Sequence, residues 1–440
     1  MLSAADNELL TRTGPGTPMG AFFRRFWQPA VLSREVGAPD GPPVRVRIMG
    51  EDYVAFRATD GRVGLVEPRC AHRGADLYFG RNEECGLRCA YHGWKYDAGG
   101  RCVDLPNAKP GAGLRERITI RACPTREYGE IVWAWLGPGD PPGEPPALEI
   151  GRVPPAHRFV TKKLQYSNWA QSLEGGIDTA HFSFLHMPAP SVASNANPDA
   201  PADERRLRWI REDANPEFSF VDHEVGFVIG ASRRADGADL YWRIAQFMLP
   251  AHATTPSTLP GETYFGYTWV PIDDTTCWIY TYAWNPERPL GREERAKLEA
   301  GHGVIGAVDE RYVPVRNRDN EYLIDREEQR RRTFTGIRGV AEQDAMIQES
   351  QGPIADRTAE HLTATDAAIV RFRRAVLAGA RALADGAEPA AAKDATAYTR
   401  RSGSWVADAR VPFEEVMRQR FGDRAGLVSA APGSQGGEAR

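Results

Sequence analysis

Two cysteines and two histidines in the first quarter of the chain are spaced as metal ligands. Cys70 and His72 are separated by one residue and Cys89 and His92 by two, with sixteen residues, Arg73 to Arg88, between the pairs. Two hairpin tips could therefore each present a thiolate and an imidazole. Such a set could hold a structural zinc ion in a tetrahedron. It could equally hold a [2Fe-2S] cluster, with both cysteines on one iron and both histidines on the other.

The residues around these ligands favour the cluster over zinc. Gly74 and Gly93 follow the histidines closely and leave the backbone free to approach bridging sulfides. Trp94 and Tyr96 can shield a cluster from water. The spacing Cys-x-His-x16-Cys-x2-His is that of the Rieske [2Fe-2S] pattern and differs from zinc-finger spacing. We therefore predict a Rieske cluster, with a zinc-only structural protein as the alternative.

A second group of potential ligands begins at Asp178, which precedes His181 by three residues and His186 by eight. Residues three apart share one face of a helix, so we expect Asp178 beside His181. Histidines five apart can converge only if the backbone bends between them, and Pro188 supports the end of a helix here. Two imidazoles and a carboxylate form the triad that leaves iron positions open for dioxygen. We predict His181 and His186 as ligands of a mononuclear Fe(II).

The carboxylate of this triad is less well defined by the sequence. Asp344 lies early in an amphipathic segment with Ala345 and Ile347, so it could point toward a metal in the core. Glu342 and Glu349 are its rivals. Spacing alone does not choose among the three.

Together these motifs resemble those of the Rieske non-haem iron aromatic ring-hydroxylating oxygenases, and most closely the terminal oxygenases of the phthalate-dioxygenase-like branch. The resemblance covers most of the chain and is strongest at residues 70–94, 168–186 and 342–357. The last stretch selects Asp344 as the third iron ligand. The resemblance also implies that Asp178 hydrogen-bonds between histidine ligands of the two metal centres. A carboxylate in that place would fix both imidazole tautomers and offer a short path for electrons.

The resemblance implies an activity and its partners as well. Electrons from a separate NAD(P)H-dependent reductase, which carries flavin and an iron-sulfur centre, would enter the Rieske cluster and reach the mononuclear iron. Dioxygen and an aromatic substrate would react there. We expect cis-dihydroxylation, with monooxygenation or O- or N-demethylation as the alternative. The resemblance further implies a homotrimer or a dimer of trimers, in which the cluster of one subunit serves the iron of its neighbour.

One predicted strand carries a candidate for substrate recognition. Residues 240–248 alternate in a β pattern that places Tyr241, Arg243, Ala245 and Phe247 on one face. An arginine among aromatic residues at mid-strand is costly unless it meets an anion, either a protein carboxylate or a substrate carboxylate. Because the resemblance points to aromatic acids, Arg243 is a candidate substrate ligand.

The elements that must position these residues divide the chain into two domains, giving an α+β fold. Short β-rich runs such as Val44–Ile48 and Ile131–Trp135 predict a small all-β Rieske domain at residues 41–150, after an N-terminal segment of residues 1–40. A proline- and glycine-rich stretch, 137–146, reads as a surface connection. Strands and helices then predict an α+β catalytic domain at residues 151–426, for which the resemblance implies a helix-grip-like antiparallel sheet wrapped by helices. The predicted strands are 218–228, 240–249, 263–270 and 276–284, and the predicted helices are 292–300, 343–350 and 365–383. Residues 427–440 are expected to be disordered.

Composition argues against several other classes of protein. The 440 residues include 55 Lys or Arg and 59 Asp or Glu, scattered along the chain, so we expect no surface for nucleic acid or a membrane. Without a secretory signal pattern or a long apolar run, a cytoplasmic location is expected. Six cysteines are too few for a disulfide scaffold in this chain. A non-enzymatic Rieske electron carrier would leave roughly 300 residues without a role.

Overall fold

Two short helices capped by hydroxyl side chains begin the chain in the computed structural model, which describes residues 1–109, 113–189, 202–256, 261–301, 303–422 and 426. In α1 (Ala4–Thr11) the Ser3 hydroxyl accepts a hydrogen bond from the Asp6 amide, and in α2 (Pro18–Phe23) the Thr17 hydroxyl accepts one from the Gly20 amide. These caps satisfy amides that a helix leaves without partners at its first turn.

Three small antiparallel sheets follow, as predicted for the first domain. Their strands are β1 (Gln28–Leu32), β2 (Val44–Ile48), β3 (Glu51–Arg57), β4 (Val63–Val66), β5 (Arg81–Glu83), β6 (Gly86–Arg88), β7 (Lys95–Tyr96), β8 (Cys102–Asp104), β9 (Ala122–Cys123), β10 (Thr125–Tyr128) and β11 (Ile131–Ala134). The strand orders are β2-β3-β4-β9, β5-β6-β7-β8 and β1-β11-β10. One candidate ligand loop lies between β4 and β5 and leads into the second of these sheets. The other lies between β6 and β7, two neighbouring strands of that sheet. Strand β1 lies in the predicted N-terminal segment and pairs with β11. Residues 137–146 contain neither helix nor strand, as expected of a connection.

The larger domain is built on one antiparallel sheet, which confirms the predicted α+β class. Its strands are β12 (Arg158–Gln165), β13 (Glu217–His223), β14 (Gly226–Arg234), β15 (Asp239–Met248), β16 (His252–Thr254), β17 (Tyr264–Pro271), β18 (Cys277–Trp284) and β19 (Gly403–Asp408). The order is β12-β18-β17-β16-β15-β14-β13, and β19 pairs with β15. The helices are α3 (Trp169–Ile177), α4 (Ala202–Glu212), α5 (Arg292–Glu299), α6 (Arg326–Arg331), α7 (Val340–Ser350), α8 (Ala367–Ala384) and α9 (Phe413–Phe421).

One hydrophobic core joins this sheet to helices α1, α2, α3 and α8 and continues into strands of the first domain. Within it, Phe23 of α2 packs edge-on against Trp169 of α3, with ring centroids 4.7 Å apart, and Phe247 of β15 packs against Phe372 of α8 at 5.2 Å. Aromatic side chains of this size dominate the free energy gained by burial. The N-terminal helices therefore help to hold α3, from which the candidate iron site continues.

The structure differs from the sequence prediction in one strand and adds three others. The run predicted as one strand at 218–228 is a hairpin, and its two turn residues, Glu224 and Val225, are not of the types that commonly mark a turn. Strands β12, β16 and β19 were not predicted. The expected disorder of residues 427–440 falls outside the described residues. Among the described residues, no helix is both long and apolar enough to cross a membrane.

Candidate metal centres and active site

The predicted cluster ligands lie at the tips of two matching loops. In each loop the amide of a glycine, Gly74 or Gly93, donates to the carbonyl oxygen of the cysteine four residues earlier. Both glycines have positive φ values, 72° and 78°, a backbone conformation that other residues rarely adopt. The two loops bring the rings of His72 and His92 together, with centroids 4.5 Å apart. The structure thus places both Cys-His pairs side by side, as the spacing predicted.

The chemistry of these side chains suits a [2Fe-2S] cluster. Cys70 and Cys89 are 2% and 4% exposed, and burial, reinforced by the nearby Cys70 thiol, raises the pKa of Cys89. A metal would therefore be needed to hold Cys89 as a thiolate at neutral pH. The Nδ1 atom of His92 is buried without a hydrogen-bond partner among the described residues, so its lone pair is available to a metal. Trp94 stacks on His72 at 4.5 Å and shields this side from water.

Tyr96 adds a polar contact to one sulfur. Its hydroxyl oxygen accepts a hydrogen bond from the Ala71 amide at 3.1 Å and lies 3.3 Å from Cys70 Sγ. Because the oxygen already accepts from an amide, the hydroxyl proton is free to point at the sulfur. Such a hydrogen bond is one of the means by which a protein sets the reduction potential of an iron-sulfur cluster.

The three predicted iron ligands converge although they come from distant parts of the chain. His181 Nε2 lies 3.0 Å from His186 Nε2 and 3.6 Å from Asp344 Oδ1, and Asp344 Oδ1 lies 3.2 Å from His186 Nε2. Two atoms bound at right angles to one metal at about 2.1 Å are about 3.0 Å apart. The triangle therefore has the size that one ion requires. Two imidazoles and one carboxylate on one side of a metal leave its other positions open, which suits Fe(II) and dioxygen.

The rival carboxylates for this position face elsewhere. Glu349 accepts hydrogen bonds from the Tyr322 hydroxyl, and Glu342 accepts one from the Ala307 amide. Among the described residues, neither belongs to the group of ligand atoms that includes Asp344 and lies within 4.8 Å of one another. The geometry thus separates Asp344 from its neighbours, which spacing could not do.

The backbone between Asp178 and His186 explains how ligands at this spacing can meet. Helix α3 ends at Ile177, Asp178 is extended with φ −73° and ψ 122°, and His181–Ser183 form a separate 3-10 turn. The expectation that Asp178 and His181 share a regular helix face is therefore wrong, because the helix stops before Asp178. Their side chains nevertheless lie together, since the turn brings the imidazole back over the carboxylate.

Each imidazole of the triad has its own acceptor on the side away from the candidate metal. Asp178 Oδ2 lies 3.3 Å from His181 Nδ1, and Gln343 Oε1 lies 2.6 Å from His186 Nδ1. Hydrogen bonds from Nδ1–H fix the tautomer that leaves Nε2 free for a metal. Burial raises the pKa of Asp178 more than any single contact lowers it, but the hydrogen bond and charge of His181, together with the amides of Ala180 and His181, lower that pKa overall. Sequence reasoning missed Gln343, although its place directly before Asp344 was a signal.

Arg243 faces a cavity beside the triad. The cavity has a volume of about 250 Å³, and His181, Asp344 and Phe182 line it together with Arg243. Arg243 is 3% exposed, its Nε donates to the Thr179 hydroxyl at 2.8 Å, and its guanidinium lies 4.0 Å from the Phe182 ring centroid. Its Nη2 is buried without a partner, and no carboxylate of the described residues lies within 4.0 Å. The sequence predicted that Arg243 meets either a protein carboxylate or a substrate carboxylate. The described residues supply no protein carboxylate to it.

Comparison with known proteins places these observations in a family. The model of the Rieske [2Fe-2S] domain matches residues 26–124, and the model described as LigXa C-terminal domain like matches residues 134–410. The chain is 35% identical over 435 residues to the oxygenase subunit of 3-chlorobenzoate-3,4-dioxygenase from Comamonas testosteroni, which covers 96% of this chain and 99% of that protein. It is 40% identical over 388 residues to the oxygenase subunit of phthalate 4,5-dioxygenase from Pseudomonas putida, which covers 86% of each. The crystal structure of dicamba monooxygenase bound to dicamba has a TM-score of 0.57 at 18% identity, covering 83% of this chain and 99% of that one, which is a likeness of fold.

Proposed function

This chain belongs to the Rieske non-haem iron aromatic ring-hydroxylating oxygenases as a terminal oxygenase component, and from this premise we propose that it hydroxylates an aromatic acid, with cis-dihydroxylation favoured. One observation carries the choice of an acid. Arg243 is a buried cation with an unpartnered Nη2, and it lines the same cavity as His181 and Asp344 of the iron triad. A planar guanidinium binds a carboxylate through two parallel hydrogen bonds, so such a substrate would supply the missing acceptor.

The proposed cofactor ligands are those that the geometry brings together. They are Cys70, His72, Cys89 and His92 for the [2Fe-2S] cluster, and His181, His186 and Asp344 for Fe(II). When bound, these groups supply one-electron transfer and the activation of dioxygen.

The protein itself orients the substrate and excludes water. Arg243 holds the carboxylate, and Phe182, Tyr267, Trp269 and Ile279 supply aromatic and apolar parts of the cavity wall. Apolar walls with few convergent polar groups are typical of sites that bind small aromatic ligands. Anchoring the ring at one end fixes which carbon atoms face the triad, so Arg243 would set the position of hydroxylation.

A separate reductase supplies the electrons, and we propose that it is a flavin and iron-sulfur protein that uses NAD(P)H. We also propose a homotrimer or a dimer of trimers, in which Asp178 meets a cluster histidine of a neighbouring subunit. Asp178 lines an acidic cavity of about 460 Å³ together with Asp356 and Asp366. The cluster tip carries Arg73 and the exposed ring of Tyr91, so charge complementarity supports the contact. None of the six cysteines forms a disulfide, which supports a cytoplasmic location.

A single-turnover experiment tests the substrate class without a known reductase. Holoenzyme reduced chemically under anaerobic conditions would be mixed with benzoate or with benzamide, its neutral analogue, and then with ¹⁸O₂. We expect benzoate to give a product that carries two labelled oxygens, and benzamide to give none. One labelled oxygen would instead identify monooxygenation or demethylation. Equal conversion of acid and amide would contradict recognition of the carboxylate.

A further inference from the structure

Two consecutive buried lysines on β12 have opposite environments. Lys162 is 3% exposed, its Nζ lies 2.7 Å from a Glu35 carboxylate oxygen, and it sits 4.5 Å from the Trp278 ring centroid. Lys163 is 8% exposed and donates to the carbonyl oxygen of Ala341 at 3.0 Å. No carboxylate of the described residues lies within 4.0 Å of Lys163. The first lysine is thus a paired structural cation, whereas the second is a buried ammonium with unused donors.

Lys163 points into the cavity beside the iron triad. Successive side chains of a strand face opposite sides of the sheet, so Lys162 and Lys163 cannot serve the same site. Lys163 lies opposite Ile279 of β18, which in turn lies opposite Trp269 of β17. All three line the cavity that Arg243 also lines. The cavity is therefore lined by two cations as well as by the Asp344 carboxylate, and neither cation has a carboxylate oxygen of the described residues within 4.0 Å.

The two cations come from well-separated strands of the sheet. Lys163 is on β12 and Arg243 is on β15, four places away in the order β12-β18-β17-β16-β15. Four steps span roughly 19 Å in a flat sheet, so both residues can line one cavity only because the sheet curves around it. A ligand that contacts both must carry its acceptors on different sides of its ring.

We propose that Lys163 is a second substrate anchor, and that the substrate is an aromatic acid with another anionic oxygen group meta or para to the carboxylate held by Arg243. This inference rests on the proposed function. An ammonium group has three donors, and Ala341 accepts one of them. A carboxylate or phenolate oxygen of the substrate would satisfy another, and it would do so in a buried place where an unused charged donor is costly. An ortho group would remain at the Arg243 end.

Anaerobic titration calorimetry on the holoenzyme tests this without turnover. The probes are benzoate and the three benzenedicarboxylates with ortho, meta and para substitution. We expect the meta or para compound to bind about 10- to 100-fold more tightly than benzoate, as a charge-assisted hydrogen bond implies. In Lys163→Met that advantage should vanish while benzoate affinity changes less than about 3-fold, and Lys163→Arg should retain part of it.

Controls separate this inference from the proposed function. Lys162→Met removes the neighbouring buried lysine outside the cavity, so it should lose stability without changing the order of affinities. The Rieske absorption spectrum checks folding, and Lys163→Gln replaces the methionine variant if that variant does not fold. Binding of benzoate with no preference for a second group would overturn the role of Lys163 alone. Failure of every acid to bind the unchanged holoenzyme would overturn the proposed function as well.

Discussion

Replacing Arg243 with methionine separates substrate binding from stability. Methionine has a similar length and no charge, so Arg243→Met removes the hydrogen bonds to a substrate carboxylate. Two such bonds contribute about 3 kcal/mol together. At about 1.4 kcal/mol for each tenfold change, the Kd for benzoate should rise by about 150-fold. The Kd for benzamide, which lacks the charge, should rise much less.

The same substitution should leave the ligand-free protein as stable or make it more stable. It loses the hydrogen bond to Thr179, about 1 kcal/mol, and the contact with the Phe182 ring, about 2 kcal/mol. It regains the cost of burying a guanidinium with an unpartnered Nη2, which is several kcal/mol. The free energy of unfolding should therefore change by about 0 to +2 kcal/mol.

Anaerobic calorimetry with benzoate and benzamide, and urea unfolding without ligand, measure the two effects. Arg243→Lys is the matched control, because it keeps the charge but loses the planar guanidinium. Its affinity for benzoate should lie between those of the unchanged protein and Arg243→Met. Binding of benzoate by Arg243→Met within 3-fold of the unchanged protein would contradict the role of Arg243 in substrate binding. An equal loss of affinity for both ligands, with a drop of more than about 3 kcal/mol in the free energy of unfolding, would instead assign Arg243 a structural role.

Substitutions at four further residues test the two metal centres. His181→Ala should abolish oxygenation and mononuclear iron binding while the paramagnetic resonance spectrum of the Rieske cluster stays intact; retained, fully coupled turnover would contradict the ligand assignment. Asp178→Asn should slow cluster-to-iron electron transfer about 10- to 100-fold with both metals bound, and an unchanged single-turnover rate would reject the bridging role. Gln343→Leu should weaken Fe(II) binding about 10- to 100-fold in chelator competition because His186 loses its tautomer-fixing acceptor; Gln343→Glu should not, and equal affinity in the leucine variant would leave Gln343 only structural. Tyr96→Phe should lower the reduction potential of the cluster in voltammetry because the sulfur loses a donor that favours the reduced, more negative state, whereas a higher potential would contradict the direction of that hydrogen bond.

The cluster ligands could be predicted because each pair is local. A cysteine and a histidine within four residues share one tight loop, so sequence spacing translates directly into geometry. Asp344 lies far along the chain from His181, and only the family resemblance selected it. Gln343 and Lys163 escaped prediction because their role depends on tertiary contacts. Strand β12 has two adjacent lysines, which indicate exposure until the cavity and Glu35 are known.

The end of α3 shows what helical spacing leaves undetermined. A contact between residues three apart is compatible with a helix and also with a turn, so the pattern could not fix where the helix stops. Gly176, two residues before Asp178, carried the clearer signal. A Cβ atom there would lie 2.4 Å from the Trp269 ring, so glycine lets the last turn of the helix approach β17. The break in the helix after Ile177 sets the directions of the site residues Asp178 and His181.

The segment after that break carries the proposed electron contact, an iron-ligand candidate and the partner of Arg243. Asp178 contacts the iron-ligand candidate His181, and the next residue, Thr179, accepts from Arg243 through its hydroxyl and from Arg233 through its carbonyl oxygen at 2.7 Å. Adjacent side chains in extended backbone point to opposite sides, whereas on a helix they are only about 100° apart. The extended residue Asp178 can thus face the acidic cavity that it lines with Asp356 and Asp366, while the Thr179 hydroxyl meets Arg243. The partner of Arg243 is therefore one peptide away from the residue proposed as the electron contact.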